Sequence, residues 1–270
     1  MNAARPSILS PFGILALGAV ILLPGCDFGN TVEETREYVL AHEPGMPLKI
    51  EAKNGSIKVR QGGTSEVRIT AVIRARTEER LSQTAIITDR LGEGTLSIEA
   101  AWPGKREGNE GCSFIVEIPD VSKILLTTSN GRVDVTGLTG PLEARTSNGK
   151  VEVERHNGDV LARSSNGRIE VQTNGNIDVE TSNGRIHLKM GDKKSGSLRA
   201  ISSNGRIKLD LGDAWQGTID ARTSNGRIKV DDASGVAVTR HGRHRADIAR
   251  GQGKNGTVRT SNGTIEVRFR

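Results

Sequence analysis

The chain has 270 residues, with 38 Lys or Arg against 32 Asp or Glu and a formal net charge of +6. Two cysteines promise no disulfide framework, and aromatic residues at only 3% argue against a bulky core and for thin layers filled by Val, Ile and Leu. So mild a positive excess does not point to nucleic acid; for an exported chain it suits anionic lipid head groups, lipopolysaccharide, teichoic acid or acidic glycans.

Residues 1–25 read as an export signal: Arg5 precedes an apolar run from Ile8 to Leu23 that is too short, and too interrupted by Pro11 and Gly13, for a spanning helix. Its ending, Leu23-Pro24-Gly25-Cys26, resembles the bacterial lipobox. That resemblance implies acylation of Cys26, cleavage before it, and a mature protein held in the cell envelope by a lipid anchor. Pro24 is unusual in that slot, so a plain secretory signal stays open. In a Gram-negative host, Asp27 resembles the signal that keeps lipoproteins on the periplasmic face of the inner membrane. Residues 26–45, polar and ending in Pro44-Gly45, read as a lipid-anchored tether.

Residues 46–120 hold irregularly spaced strands with period-two alternation, among them Leu48–Ala52, Ile57–Val59, Val67–Ile73, Leu96–Ala100 and Phe114–Ile118. The segment Thr77-Glu78-Glu79-Arg80-Leu81 and onward to Ile87 offers an N-cap followed by acidic residues, which predicts one short helix. Cys112 opens an apolar run and is expected to be a buried strand residue.

Residues 121–270 carry the dominant signal. Seven copies of Thr/Ser-Ser-Asn-Gly start at Thr128, Thr146, Ser164, Thr181, Ser202, Thr223 and Thr260, followed by a cation in six of the seven and then, in each, by a β-branched residue, a polar residue and an aliphatic. The first six recur every 17 to 21 residues, the signature of one structural unit stacked on itself. Second corners of varied length, such as His156–Asp159 and Gly212–Gly217, lie between them, and a basic insert spans 239–254. Asn-Gly readily adopts positive φ and so fits either a hairpin turn or the corner of a coil. Two features favour a parallel β-solenoid over an antiparallel meander or sandwich. Stacked corners about 4.8 Å apart reward identical letters through ladders of side-chain hydrogen bonds. The other corner grows without disturbing the next strand. The expected ladder is Asn130, Asn148, Asn166, Asn183, Asn204 and Asn225.

Residues 46–270 are therefore expected to form one all-β domain. The unit Leu48-x-Ile-x-x-x-Asn-Gly-x-Ile-x-Val59, the segment Val116-x-Ile-Pro119 and the serial Thr-Ser-Asn-Gly-x-Ile-x-Val units together resemble the bacterial toast-rack family. That resemblance implies a right-handed, β-helix-like fold in a protein anchored to or secreted across the envelope. It implies no catalytic residues or cofactor, and the adhesin label the family carries rests mostly on architecture.

A cation follows six of the seven corners: Arg132, Lys150, Arg168, Arg185, Arg206 and Arg227. Stacked about 5 Å apart, such charges repel by roughly 1 kcal/mol per neighbour at water-like dielectric. Two residues on stand Asp134, Glu152 and Glu170 in the early coils but His187, Lys208 and Lys229 in the later ones. Early coils are thus expected to neutralise themselves, and Arg185, Arg206, Lys208, Arg227 and Lys229 to form an anion-binding face. The plainer reading makes them solvated strand residues. His241 and His244 lack a convincing third ligand for a metal, and Trp215 fits the cover of a coil end better than a ligand contact. No catalytic motif appears, and the acids follow the repeat instead of gathering as paired carboxylates. This leaves a non-catalytic binding or adhesion scaffold, with an envelope-stress sensor for a cationic peptide or membrane-protein partner as the alternative.

Overall fold

A computed structural model describes residues 20–21, 31–63, 65–191, 196–231 and 235–269. Cys26, where acylation is expected, lies outside them. The described strands form two sheets of twelve. Within the repeats each coil contributes one strand to each sheet, so the molecule is a flattened β-solenoid. Ile124–Asn130, for example, lies in one sheet (here sheet 2), and the Ser-Asn-Gly corner carries the chain into Val133–Thr136 of sheet 1. The variable corner then returns it to Leu142–Asn148 of sheet 2.

Alternation explains why these segments are strands and why the coils stack. In sheet 1 Val133, Val151, Ile169, Ile186 and Ile207 are register partners in successive strands, and in sheet 2 so are Leu142, Val160, Ile177 and Leu198. All are buried between the sheets, and removal from water stabilises each by about 1.5–3 kcal/mol. Repeat strands pair in parallel, which excludes the meander for the array.

Coil order departs from chain order at both ends. Leu48–Glu51 and Ile57–Gln61 lie between the strands Thr95–Ala101 and Gly111–Ile118 on one side and Ile124–Asn130 and Val133–Thr136 on the other. Likewise the final coil, Lys254–Asn262 and Ile265–Phe269, is inserted between Leu198–Leu211 and Gly217–Asp231.

Three expectations need correction. Residues 32–41, read as tether, form a ten-residue strand antiparallel to Glu66–Ala75. Its inner face mixes Val32, Tyr38 and Leu40 with a Glu34–Arg36 ion pair at 2.8 Å, and that mixture hid the alternation. Arg36 also donates to the Leu81 carbonyl at 2.9 Å, so this polar pair ties the strand to the helix. The basic insert, expected to interrupt the strands, is largely a hairpin of Ala237–Arg240 and Arg245–Arg250, of which Arg245–Arg250 pairs antiparallel with Gly217–Asn225. The helix occupies only Glu78–Gln83, where the Thr77 hydroxyl accepts from the Arg80 amide at 3.2 Å; the chain turns to strand at Ala85.

Cys112 lies buried in Gly111–Ile118, and burial pushes its thiol up to about 12, so it is a packing residue and not a nucleophile. Trp215 is fully buried with its ring 6.0 Å from that of Phe269, which places it in the core of the last coils.

Candidate functional site

Asparagine amides form a continuous ladder down one edge of the solenoid. Each Nδ2 donates to the Oδ1 of a neighbouring coil: Asn130 to Asn54 (2.6 Å), Asn148 to Asn130 (2.8 Å), Asn166 to Asn148 (3.0 Å), Asn183 to Asn166 (2.9 Å) and Asn204 to Asn183 (2.9 Å). The series continues from Asn262 to Asn204 (2.7 Å) and from Asn225 to Asn262 (2.9 Å). The ladder thus runs beyond the expected residues to include Asn54 and Asn262, both of which carry the same Asn-Gly signal, and Asn204 meets Asn225 only through Asn262. All the amides point one way, and Asn54 ends the row by donating to the Gly108 and Glu110 carbonyls.

Behind the ladder, the buried first residue of each motif donates its hydroxyl to the corner-glycine carbonyl of the adjoining coil. Thr146 bonds Gly131 at 3.1 Å, Thr181 bonds Gly167 at 3.1 Å and Thr223 bonds Gly263 at 2.9 Å. The glycine itself is needed for a reason the sequence did not give. None of the described corner glycines of the motif has positive φ; instead, a methyl group on Gly149 or Gly167 would collide with the carbonyl oxygen of the corner glycine one coil away. Close backbone approach, not left-handed conformation, selects glycine there.

The cations after the corners stand on the outer surface of sheet 1, where the early coils zip together. Arg132 pairs with Asp134 at 2.6 Å and also with Glu152; Lys150 pairs with Glu152 at 2.9 Å and Glu170 at 2.5 Å; Arg168 pairs with Glu170 at 3.1 Å. Burial pushes the Glu170 carboxyl up, but Lys150 and Arg168 together pull it down to about 2. At Asp134 the balance falls the other way: burial outweighs Arg132 and raises its pKa.

Later coils lack this zip. Arg185, Arg227 and Lys229 have no carboxylate within 4.0 Å among the described residues. The five residues expected to form one anion-binding face are nevertheless not contiguous. The inserted coil sets Glu266 between Lys208 and Lys229, and Glu266 also reaches Arg206 at 3.8 Å. Lys208 turns to the buried Asp210 at 3.0 Å, which His187 approaches at 2.7 Å. Burial pushes Asp210 up, but these two partners hold it below the ordinary carboxylate range. Arg185 therefore stands apart from an Arg227–Lys229 patch on the edge coil.

Sheet 2 has a charged outer surface that sequence reasoning did not single out. Arg199 meets Asp178 at 2.8 Å and Glu180 at 3.2 Å, Arg163 meets Asp178 at 3.0 Å, and Arg145 meets Glu143 at 2.5 Å. The Arg163 and Arg199 pairs join neighbouring coils, a relation visible only once the stacking register is known. Among the described residues no three His, Cys, Asp or Glu side chains gather in a metal-binding group, and His241 is taken by Asp247 at 2.6 Å.

No protein-family model and no curated protein matches the chain. Among solved structures it is similar to a putative cell adhesion protein from Clostridium sporogenes, at 11% identity over 87% of this chain and 100% of that one, with a TM-score of 0.35. A putative adhesin from Bacteroides fragilis aligns at 12% identity over 88% of this chain and 97% of its own, with a TM-score of 0.40. A putative lipid binding protein from Parabacteroides distasonis aligns at 11% identity over 86% of this chain and 96% of its own, with a TM-score of 0.30.

Proposed function

We propose that this chain is a non-catalytic cell-envelope lipoprotein, anchored at Cys26, whose stacked surface binds anionic envelope polymers or lipid head groups. One observation carries the reading: cations recur after every corner of the first six copies, yet Arg185, Arg227 and Lys229 in the later coils face solvent with no carboxylate in reach among the described residues. Lone exposed charges on a repeating lattice suit a ligand that repeats its own charge, and such a surface binds through the sum of weak contacts. The alternative, capture of a cationic peptide by Asp134, Glu152 and Glu170, is disfavoured because Arg132, Lys150 and Arg168 already occupy those carboxylates. A ligand would have to displace an internal partner at each step.

The test is retention of the full chain on vesicles of phosphatidylcholine with phosphatidylglycerol, and on lipopolysaccharide. Replacing Arg185, Arg227 and Lys229 together by Glu is expected to reduce retention at least about tenfold at low salt. Unchanged retention rejects the reading. The anchor is tested separately: palmitate labelling is expected on the parent chain and lost in Cys26→Ala, and an unlabelled parent rejects it.

A further inference from the structure

The outward-facing row of sheet 2 that passes through Arg145, Arg163 and Glu180 continues to Ile201 and ends in three arginines. Register sets Ile201 beside Arg259, Arg259 beside Arg222, and Arg222 beside Arg245, on strands about 4.8 Å apart. Upstream arginines of this row are ion-paired, whereas in the triplet only Arg222 and Arg245 are. Asp220 accepts from Arg222 at 2.9 and 2.7 Å and reaches Arg245 at 3.5 Å; Asp247 turns mainly to His241. Arg259, on the exposed surface of the inserted coil, has no carboxylate within 4.0 Å among the described residues, and neither has Arg243.

The hairpin closes a space over this row. Its 241–244 turn is pinned to the outermost Ser-Asn-Gly motif of the stack by the Thr223 amide, which donates to the His244 carbonyl at 2.9 Å, and closed on itself by the His241 amide, which donates to the Arg245 carbonyl at 3.0 Å. Between turn and sheet lies a groove of about 800 Å³ with Arg222, Arg243, Arg245 and Arg259 on its walls. Along its floor run the second residues of three successive motifs, Ser203, Ser261 and Ser224, brought into line by the Asn204–Asn262–Asn225 register. The hydroxyls of these serines have no hydrogen-bond partner among the described residues, unlike those of Ser202, Thr223 and Thr260 beside them. Four arginines, of which Arg243 and Arg259 have no carboxylate within 4.0 Å among the described residues, and a file of serine hydroxyls therefore line one space that holds no acid on its walls.

We infer that this groove binds phosphate groups carried on a larger molecule. A guanidinium offers two parallel N–H donors to an oxyanion, and tetrahedral phosphate has oxygens left over for the hydroxyls, which a single carboxylate does not. Hydroxyls spaced at the coil repeat suit phosphates that recur along a chain. The groove lies on the sheet opposite the surface argued above, so each can fail alone.

The test uses the full chain in a neutral detergent, titrated with short-chain polyphosphate, with inorganic phosphate, and with phosphatidylcholine vesicles with and without phosphatidylglycerol. Arg243→Glu with Arg259→Glu breaks no ion pair of the described residues and is expected to leave the melting curve in place while weakening polyphosphate binding at least about tenfold. Glu at Arg185, Arg227 and Lys229 on sheet 1 should change that affinity less than about twofold if the groove is the site. Loss confined to polyphosphate assigns polymer-borne phosphate; an equal loss on phosphatidylglycerol vesicles assigns lipid phosphate; either supports the groove. Polyphosphate affinity that survives the Arg243/Arg259 change, or that falls only with the sheet 1 changes, overturns it.

Discussion

The two ends of the solenoid solve one problem in different ways. Each inserts a coil out of chain order, and each adds antiparallel strands beyond the last parallel one. At the N-terminal end both sheets are finished: Glu66–Ala75 and Val32–Ala41 cover sheet 1, and Ala85–Leu91 covers sheet 2. Glu110 is fully buried there and held by Arg80 at 2.5 and 2.8 Å. At the C-terminal end the hairpin covers sheet 2 alone, and sheet 1 stops at the four residues Ile228–Asp231. That edge is guarded by charge: Lys229 lies on it, and Arg240 donates to the Ile228 carbonyl at 3.2 Å. At one end both sheets are covered by further strands, and at the other the edge of sheet 1 is left to charge, so the closed end is expected to govern stability and the open end binding.

The largest effect should come from corner glycines. Gly131→Ala, whose methyl would strike the Gly55 carbonyl inside the closed half, is expected to cost about 4 kcal/mol or more in denaturant unfolding. Gly226→Ala makes the same clash with Gly263 on an outermost coil that has room to shift, and should cost less; equal losses would break the contrast between the ends. Gly63→Ala, which meets no atom, should stay within about 0.5 kcal/mol.

Next comes Glu110→Gln, which leaves the Arg80 guanidinium facing a neutral amide in a buried pocket and is expected to lower the melting temperature clearly. Asp220→Asn at the open end removes exposed pairs and should change stability by less than about 1 kcal/mol. The smallest effect sharpens the reading of the middle. The Glu170 pKa is lower in the folded chain, at about 2, than the ordinary value of 4.5, so its contribution is present above pH 4.5 and is lost as pH falls toward 2. A Glu170→Gln variant should therefore show a shallower loss of stability over that window; an unchanged slope would remove Glu170 from the zip.

Much of this was legible before any coordinates. Repeats announce themselves because a parallel stack rewards the same side chain at the same level, so the Asn ladder, the Thr and Ser anchors and the inward aliphatics are all written in the text. Neighbour order is not. Every coil presents the same Asn, Thr and aliphatic edge, so register is specified while the choice of partner is left to the chain's ends. For that reason Lys208 and Lys229 read as adjacent although Glu266 stands between them. The strand Val32–Ala41 was missed because a strand near the end of a sheet tolerates an ion pair on its inner face. The arginine groove was missed because its parts come from three coils and a hairpin.

The inserted coil also constrains how the strands can come together. As the chain is made, Gly217–Asp231 is available before Lys254–Phe269 and could settle directly against Leu198–Leu211, since both carry matching edges. The hairpin 237–250 removes the easy outcome for the late segment by occupying the outer side of Gly217–Asn225 in sheet 2. Only the inner side is then left for the last residues, which must wedge two earlier turns apart or arrive before these have met. Completion therefore waits on residues 254–269, and a chain cut short at residue 253 would leave Leu198–Leu211 and Gly217–Asp231 either paired with each other or with matching edges open to another copy.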